Sequence, residues 1–279
     1  MIFFNHLDEL LYSQDIPIWS TSTYNQFLLM KKVKEAGIKV ILSGQGSDEL
    51  FAGYQHHYVA YWLSLLKKIH IIDFFNHIYQ SSNYLPSPVK LLFYSIFKNS
   101  FSFQNIDYSK YLSSDLLQTY QPSSIHKISN QLTTELLNDL SYRRLKAFLK
   151  CEDRCSMWHS VESRLPFSDD IDLIKWSLTI PEKIKLKNGI SKYVLREAFK
   201  DILPDKIYHR KDKKAFEAPL KEWLILKDKE ILDEIKNGWK DIINQLTFQK
   251  ITSLQTFSNK EMTIIFKLFL LNRWKKLWN

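Results

Sequence analysis

Six glycines serve a chain of 279 residues, and three of them, Gly44, Gly46 and Gly53, fall within ten positions. In a sequence so poor in glycine, that cluster marks backbone that bends sharply or approaches something closely. Just before it, Val40-Ile41-Leu42 is aliphatic, β-branched and too short for a helix, which reads as a strand buried on both faces. Ser43 then sits at the carboxyl end of that strand, where open parallel sheets bind their ligands. Gly44 and Gly46 leave the backbone N–H groups between them uncovered. Ser47 or Asp48 can cap a helix running through Leu50, Phe51 and Tyr54. Asp48 and Glu49 would repel a bare phosphate unless a divalent cation lay between. Two readings fit the residues: a strand-turn-helix corner with Asp48 as a cap, or a nucleotide corner with a cation at Asp48.

Upstream, Ser20 to Thr23 supply capping hydroxyls. Tyr24, Phe27, Leu28, Met30 and Val33 recur at helical spacing, and Gly37 closes the helix. Residues 1–19 mix apolar and acidic residues and end in Ile16-Pro17-Ile18-Trp19, which reads as a loop or strand entry. Helix, glycine turn, strand, glycine turn and helix together form a piece of an α/β sheet. Residues 1–58 carry the strand and the corner. Residues 59–131, rich in Tyr, Phe and Ser and broken by Pro86 and Pro88, read as a helical insertion. Residues 132–279 read as helical, with Leu132, Leu136, Leu140, Leu145, Phe148 and Leu149 in register and an apolar face over Met262–Trp278 docking on the core. The charged run from Cys151 to Phe167 implies partly buried ion pairs, with His159 as a packed core histidine. A basic loop, Arg210 to Pro219, is either an exposed turn or a phosphate-contacting segment.

The net charge of +9 raises the question of an anionic polymer as partner. Lysines gather in separate clusters at 31–34, 183–187, 211–214 and 275–276, and no recognised binding motif accompanies them, so no nucleic acid is expected. Cys151 and Cys155 are too few for a disulfide framework and lack metal-site spacing. His56 and His57, adjacent on a helix, point in different directions and are not expected to share an ion. The most apolar central window, Val89 to Phe97, is far shorter than the roughly 20 residues of a membrane helix. With no signal-peptide pattern, a cytoplasmic location and no membrane partner are expected.

Three separated motifs agree in order with one family. SGQGSDELFAGY at 43–54, DRCSMWHSVESRLPF at 153–167, and SKYVLREAF at 191–199 leading to RKDKKAFEAP at 210–219 resemble the synthetase domain of glutamine-hydrolysing asparagine synthetases. The resemblance implies an α/β, adenine-nucleotide-hydrolase-like domain of PP-loop ATPase type, incomplete here, mainly helical with a few parallel strands. It implies ATP and Mg2+ as cofactors and aspartate as substrate, activated as β-aspartyl-AMP and amidated by ammonia from a glutaminase domain. By similarity Ser43, Gly44, Gly46, Glu49, Asp153 and Lys192 meet the nucleotide, and Asp48 coordinates Mg2+. Gln45, Lys213 and Arg154 are the catalytic candidates, and Glu162 with Arg164 forms a buried supporting pair. Gln45 stands where the family often has Glu, so a general-base role does not transfer. Ala215 and Ser168 replace a usual glycine and leucine, and Trp158 a smaller residue. The family's pyrophosphate-binding SGGxDS loop and its N-terminal cysteine nucleophile are not in this sequence. The chain is therefore expected to need an upstream glutaminase and PP-loop segment, from the same or another chain, and to be inactive alone. A related adenylating amidotransferase or cyclase acting on another acid, a non-catalytic vestigial fragment and a homodimer stay open.

Overall fold

A computed structural model describes residues 5–18, 20–97, 112–119, 128–211, 216, 231, 233, 243–244, 247–249, 253 and 259–278. The first described helix is α1 (Leu7–Gln14), which the mixed apolar and acidic sequence did not announce. Leu7, Leu10, Leu11 and Gln14 share its buried face, and Asp8 and Glu9 complement the dipole in its first turn. Helix α2 (Thr21–Glu35) begins as expected, with the Ser20 side chain accepting from the Ser22 N–H. Gly37, at φ +74°, then turns the chain into strand β1 (Val40–Leu42).

Strand β1 pairs in parallel with β2 (Glu162–Arg164), in the register Val40 to Glu162, Ile41 to Ser163 and Leu42 to Arg164. The expectation that β1 is buried on both faces fails: Val40 is 39% and Leu42 77% exposed. Parallel strands normally carry cover on both faces. Among the described residues, β1 has a single strand neighbour. Glu162 and Arg164 are also not the buried pair expected. They meet at 2.8 Å with both side chains more than half exposed, because residues two apart on a strand share one face, here the solvent face.

After the glycine corner the helix is interrupted. Helix α3 (Ser47–Phe51) stops at Ala52, which lies at φ +60°, and α4 (Gln55–Lys67) starts afresh. Helix α4 packs on α5 (Ile71–Ser81), and α6 (Pro88–Phe97) contacts both. A short α7 (Ser114–Thr119) precedes α8 (Leu132–Asn138), which runs into a π-helical turn at Asp139–Arg143 and then α9 (Leu145–Trp158). Among the described residues four short α-helices follow β2 before the C-terminal one: α10 (Ile171–Thr179), α11 (Glu182–Lys185), α12 (Tyr193–Ala198) and α13 (Asp205–Tyr208). The chain ends in α14 (Asn259–Trp278), and no described helix is long and apolar enough to cross a membrane.

One apolar core joins α1, α2, α9 and α14 through Leu10, Tyr24, Phe27, Met30, Cys155 and Phe269. The buried residues of α14, Ile264 to Phe266 and Leu268 to Leu270, run around the helix rather than along one stripe. Arg273 on α14 locks the helix to α1 by a forked contact with Asp8, 2.6 and 2.9 Å. His159 packs against the Phe27 ring at 4.6 Å in this core, and burial lowers its pKa. A second core gathers Ala52, Val59, Trp62, Leu132, Leu136 and Leu186 between α4, α5 and α8. Within it His77 accepts from Trp62 Nε1 and donates from Nε2 to the Leu186 carbonyl, so its tautomer is set by its partners.

Candidate functional site

The corner lies between β1 and α3 and is tied down on both sides. Ser43 N–H continues the ladder to the Arg164 carbonyl at 2.9 Å, and the Gly44 carbonyl accepts from the Ser47 N–H and hydroxyl. Gly46, not Ser47 or Asp48, is the N-cap of α3. It adopts φ +94°, and a Cβ there would crowd the Ser168 backbone N at 3.2 Å. Glycine thus satisfies both a left-handed turn and close contact with residues 167–168.

Asp48 and Lys192 meet across the mouth of this corner. Lys192 Nζ lies 3.0 Å from Asp48 Oδ1 and donates to Ser47 Oγ at 3.0 Å. The Lys192 backbone is left-handed, at φ +55°, and its N–H donates to the Phe51 carbonyl at the end of α3. Gly53 backs the pair: a Cβ on it would fall 1.6 Å from Asp48 Oδ1 and 2.7 Å from Lys192 Cε.

Glu49 turns the other way, into the protein, where the Tyr54 hydroxyl donates to it at 2.7 Å. Burial raises the Glu49 pKa, and Asp48 and Asp139 add to the rise. Burial, with the Glu49 charge beside it, likewise raises the Tyr54 hydroxyl. Beneath Tyr54, His56 and His57 both place Nε2 on a single oxygen of Asp139, at 2.5 and 3.0 Å. Adjacent histidines do converge here, contrary to expectation, because the π-helical turn swings Asp139 under the first turn of α4. Three potential metal donors thereby come within 4.8 Å of one another. The hydrogen bonds assign another role. His57 Nδ1 accepts from the Tyr54 N–H, which puts the ring proton on Nε2, where it is donated to Asp139 rather than free to yield to a metal. Burial and His56 push the His57 pKa down to about 3, so the ring is neutral. Burial opposes the Asp139 charge, but the two histidine bonds outweigh it and hold that carboxyl well below its usual range. Arg144 lies 3.7 Å from the other Asp139 oxygen with its guanidinium 5.0 Å from the centre of the Tyr54 ring, while Arg143 pairs with buried Glu135.

Two residues that patterns did not single out hold the corner from behind. Lys185 is fully buried and donates to the Leu50 carbonyl at 3.1 Å, capping α3, and burial lowers its pKa to about 8. In sequence it is one lysine in a run that reads as a solvated cluster. Arg196 binds the carbonyls of Ser191, Tyr208 and Arg210, fastening the start of the basic loop to the Lys192 helix. Its spacing from Lys192, one helical turn, was the available signal.

Of the expected site residues, Ser43, Gly44, Gln45, Gly46, Asp48 and Lys192 gather at the corner. Glu49 is adjacent in sequence but inward. Asp153 and Arg154 are exposed on α9, where Arg154 pairs with Asp15 at 2.5 Å. Lys213 lies outside the described residues.

A glycine corner at the carboxyl end of a parallel strand, with a carboxylate and a lysine at its mouth, defines an α/β protein of the kind that binds ligands at its strand ends. Residues 2–263 match the family described as Asparagine synthase, and the chain belongs to that family. It is 26% identical over 242 residues to "Asparagine synthetase [glutamine-hydrolyzing] 1" of Bacillus subtilis (strain 168), covering 80% of this chain and 37% of that protein. It is 28% identical over 209 residues to the "Asparagine synthetase [glutamine-hydrolyzing] 3" of the same strain, covering 74% and 31%. It is also 26% identical over 270 residues to "Amidase chyE" of Penicillium rubens, covering 78% and 38%. The chain therefore spans about a third of the length of these curated relatives.

Proposed function

We propose that this chain supplies the nucleotide-side part of an ATP-dependent amide ligase that activates aspartate as β-aspartyl-AMP. A carboxylate oxygen of the acid attacks the α-phosphorus, pyrophosphate leaves, and ammonia then attacks the acyl carbon and expels AMP. The observation that carries this reading is the convergence of Ser47, Asp48 and Lys192 at the glycine corner, in a chain of the asparagine synthase family. Ser43 and Gly44 meet the nucleotide, and Gln45 offers hydrogen bonds without charge. The corner fits a magnesium ion, because Asp48 is partly exposed beside the Ser47 hydroxyl and already holds a cation, the Lys192 ammonium. One carboxylate plus substrate phosphates is an ordinary Mg2+ environment. When bound, that ion supplies charge neutralisation of the phosphates. Lys192 and Lys213 contact the phosphates and steady the charge that develops on pyrophosphate.

The exposed strand supports the second half of the proposal. Val40 and Leu42 show apolar side chains on a parallel sheet of two described strands. A partner segment carrying further strands, an SGGxDS loop and a glutaminase fits that surface and the greater length of the relatives. Calorimetry with Mg-ATP and a pyrophosphate-release assay with aspartate test the reading. The chain alone is expected to release none and to do so once the upstream segment is supplied. Release by the chain alone contradicts the need for that segment, and no Mg-ATP binding with it supplied contradicts the ligase reading. The relatives named amidases, among them "Amidase chyE", favour a second version in which another acid is activated. Assaying other carboxylic acids in place of aspartate separates the two.

A further inference from the structure

The two groups that meet at the mouth of the corner have separate tasks in the proposed reaction, Asp48 toward a divalent cation and Lys192 toward phosphate, yet here they neutralise each other. We infer that Lys192 is the resident counter-ion of Asp48: its ammonium guards the carboxylate against a divalent cation until nucleotide arrives, when cation and ammonium exchange places. The inference rests on the nucleotide reading above and adds the order in which the charges move.

Three observations carry it. The ammonium is bound to both Asp48 Oδ1 and Ser47 Oγ at 3.0 Å, so it holds the two neighbouring oxygens that a hard cation would use. The Lys192 backbone is fixed, left-handed and hydrogen-bonded to the Phe51 carbonyl, so the exchange is a rotation of a flexible four-carbon stem about an anchored Cα. Gly53, with no room for a Cβ, keeps the Asp48 carboxylate and the Lys192 stem pressed together. Among the described residues, two neighbouring charges on this side of α3 are engaged elsewhere: Glu49 accepts from Tyr54 in the interior, and Lys185 donates to the Leu50 carbonyl. An ammonium and a divalent ion repel each other at one carboxylate, and the phosphates of the nucleotide give the displaced ammonium a new partner.

The test measures Mn2+ binding to the 279-residue chain without nucleotide, by the loss of the free-ion EPR signal, alongside Mg-ATP binding by calorimetry. Lys192→Gln and Lys192→Asn remove the charge, and Asn accepts the left-handed backbone, so at least one neutral variant keeps the fold by circular dichroism. Both are expected to bind Mn2+ about fivefold to tenfold more tightly than the parent, while Mg-ATP binding weakens by a similar factor. Lys192→Arg stays at the parent Mn2+ affinity, and the gain disappears in the Lys192→Gln, Asp48→Asn double variant. Unchanged or weaker Mn2+ binding in the folded neutral variants overturns the inference, as does a gain that survives loss of the Asp48 charge. A gain in Mn2+ binding by a chain that binds no Mg-ATP even with the upstream segment supplied supports the counter-ion role and overturns the ligase reading instead.

Discussion

The two buried regions that flank the corner are built from opposite materials. Around Phe27 and Met30 the helices α1, α2, α9 and α14 close an apolar core. Under Tyr54 the same degree of burial is filled with His56, His57, Glu135 and Asp139, with Arg143 and Arg144 at the edge. An apolar core tolerates exchange at constant volume, whereas a buried hydrogen-bonded network fails when one partner leaves. The polar region is the one joined to the site: Asp139 holds His57, His57 holds the Tyr54 backbone, and Tyr54 holds Glu49 next to Asp48. Precision of the corner is thus set on its polar side and bulk stability on its apolar side.

Asp139→Ala leaves two imidazole donors without their acceptor and Arg144 without its carboxylate. The expected loss is about 3–5 kcal/mol in urea unfolding, against less than about 1.5 kcal/mol for Met30→Leu in the apolar core. Equal costs would erase the contrast.

Lys185 gives the next largest effect and sharpens the comparison through pH. Its folded pKa of about 8 lies below its ordinary 10.5, so the unfolded chain binds more protons between those values. Stability contributed by this group therefore rises with pH from about 8 to 10.5, by about 3 kcal/mol in all. The difference between parent and Lys185→Met in unfolding free energy is expected to change across that window and to be flat below it.

Gly53→Ala separates stability from function. The new methyl meets movable side-chain ends rather than backbone, so unfolding is expected to shift by less than about 1 kcal/mol. Asp48 and Lys192 are pushed apart, and Mg-ATP binding by calorimetry falls. Smallest of all, Glu162→Ala in the exposed pair on β2 is expected to stay within about 0.5 kcal/mol by thermal melting.

Much of the corner was legible in sequence because its devices are local. Gly44, Gly46 and the β-branched run before them reveal strand, turn and helix within a dozen residues. The helix over Thr21–Glu35 declares itself by its capping serine and its apolar spacing. What escaped depends on partners distant in the chain. His56 and His57 converge because a carboxylate 82 and 83 positions away comes to them, and Lys185 is buried because Leu50, 135 positions away, lacks a donor. The same limit explains the error at β1: its residues look fit for the interior, and whether anything covers them is decided outside the strand. The expected buried Glu162–Arg164 pair, which came with the family resemblance, fails beside it, since both residues lie on the paired strand and on its exposed face.

The bare face of Val40 and Leu42 has a practical meaning for anyone handling this polypeptide. A short aliphatic strand without cover is adhesive, and molecules carrying one gather through it as concentration rises. The surface proposed above to receive a companion segment is thus also one that shortens shelf life while it is bare, and a charge placed at Leu42 would trade that docking for solubility.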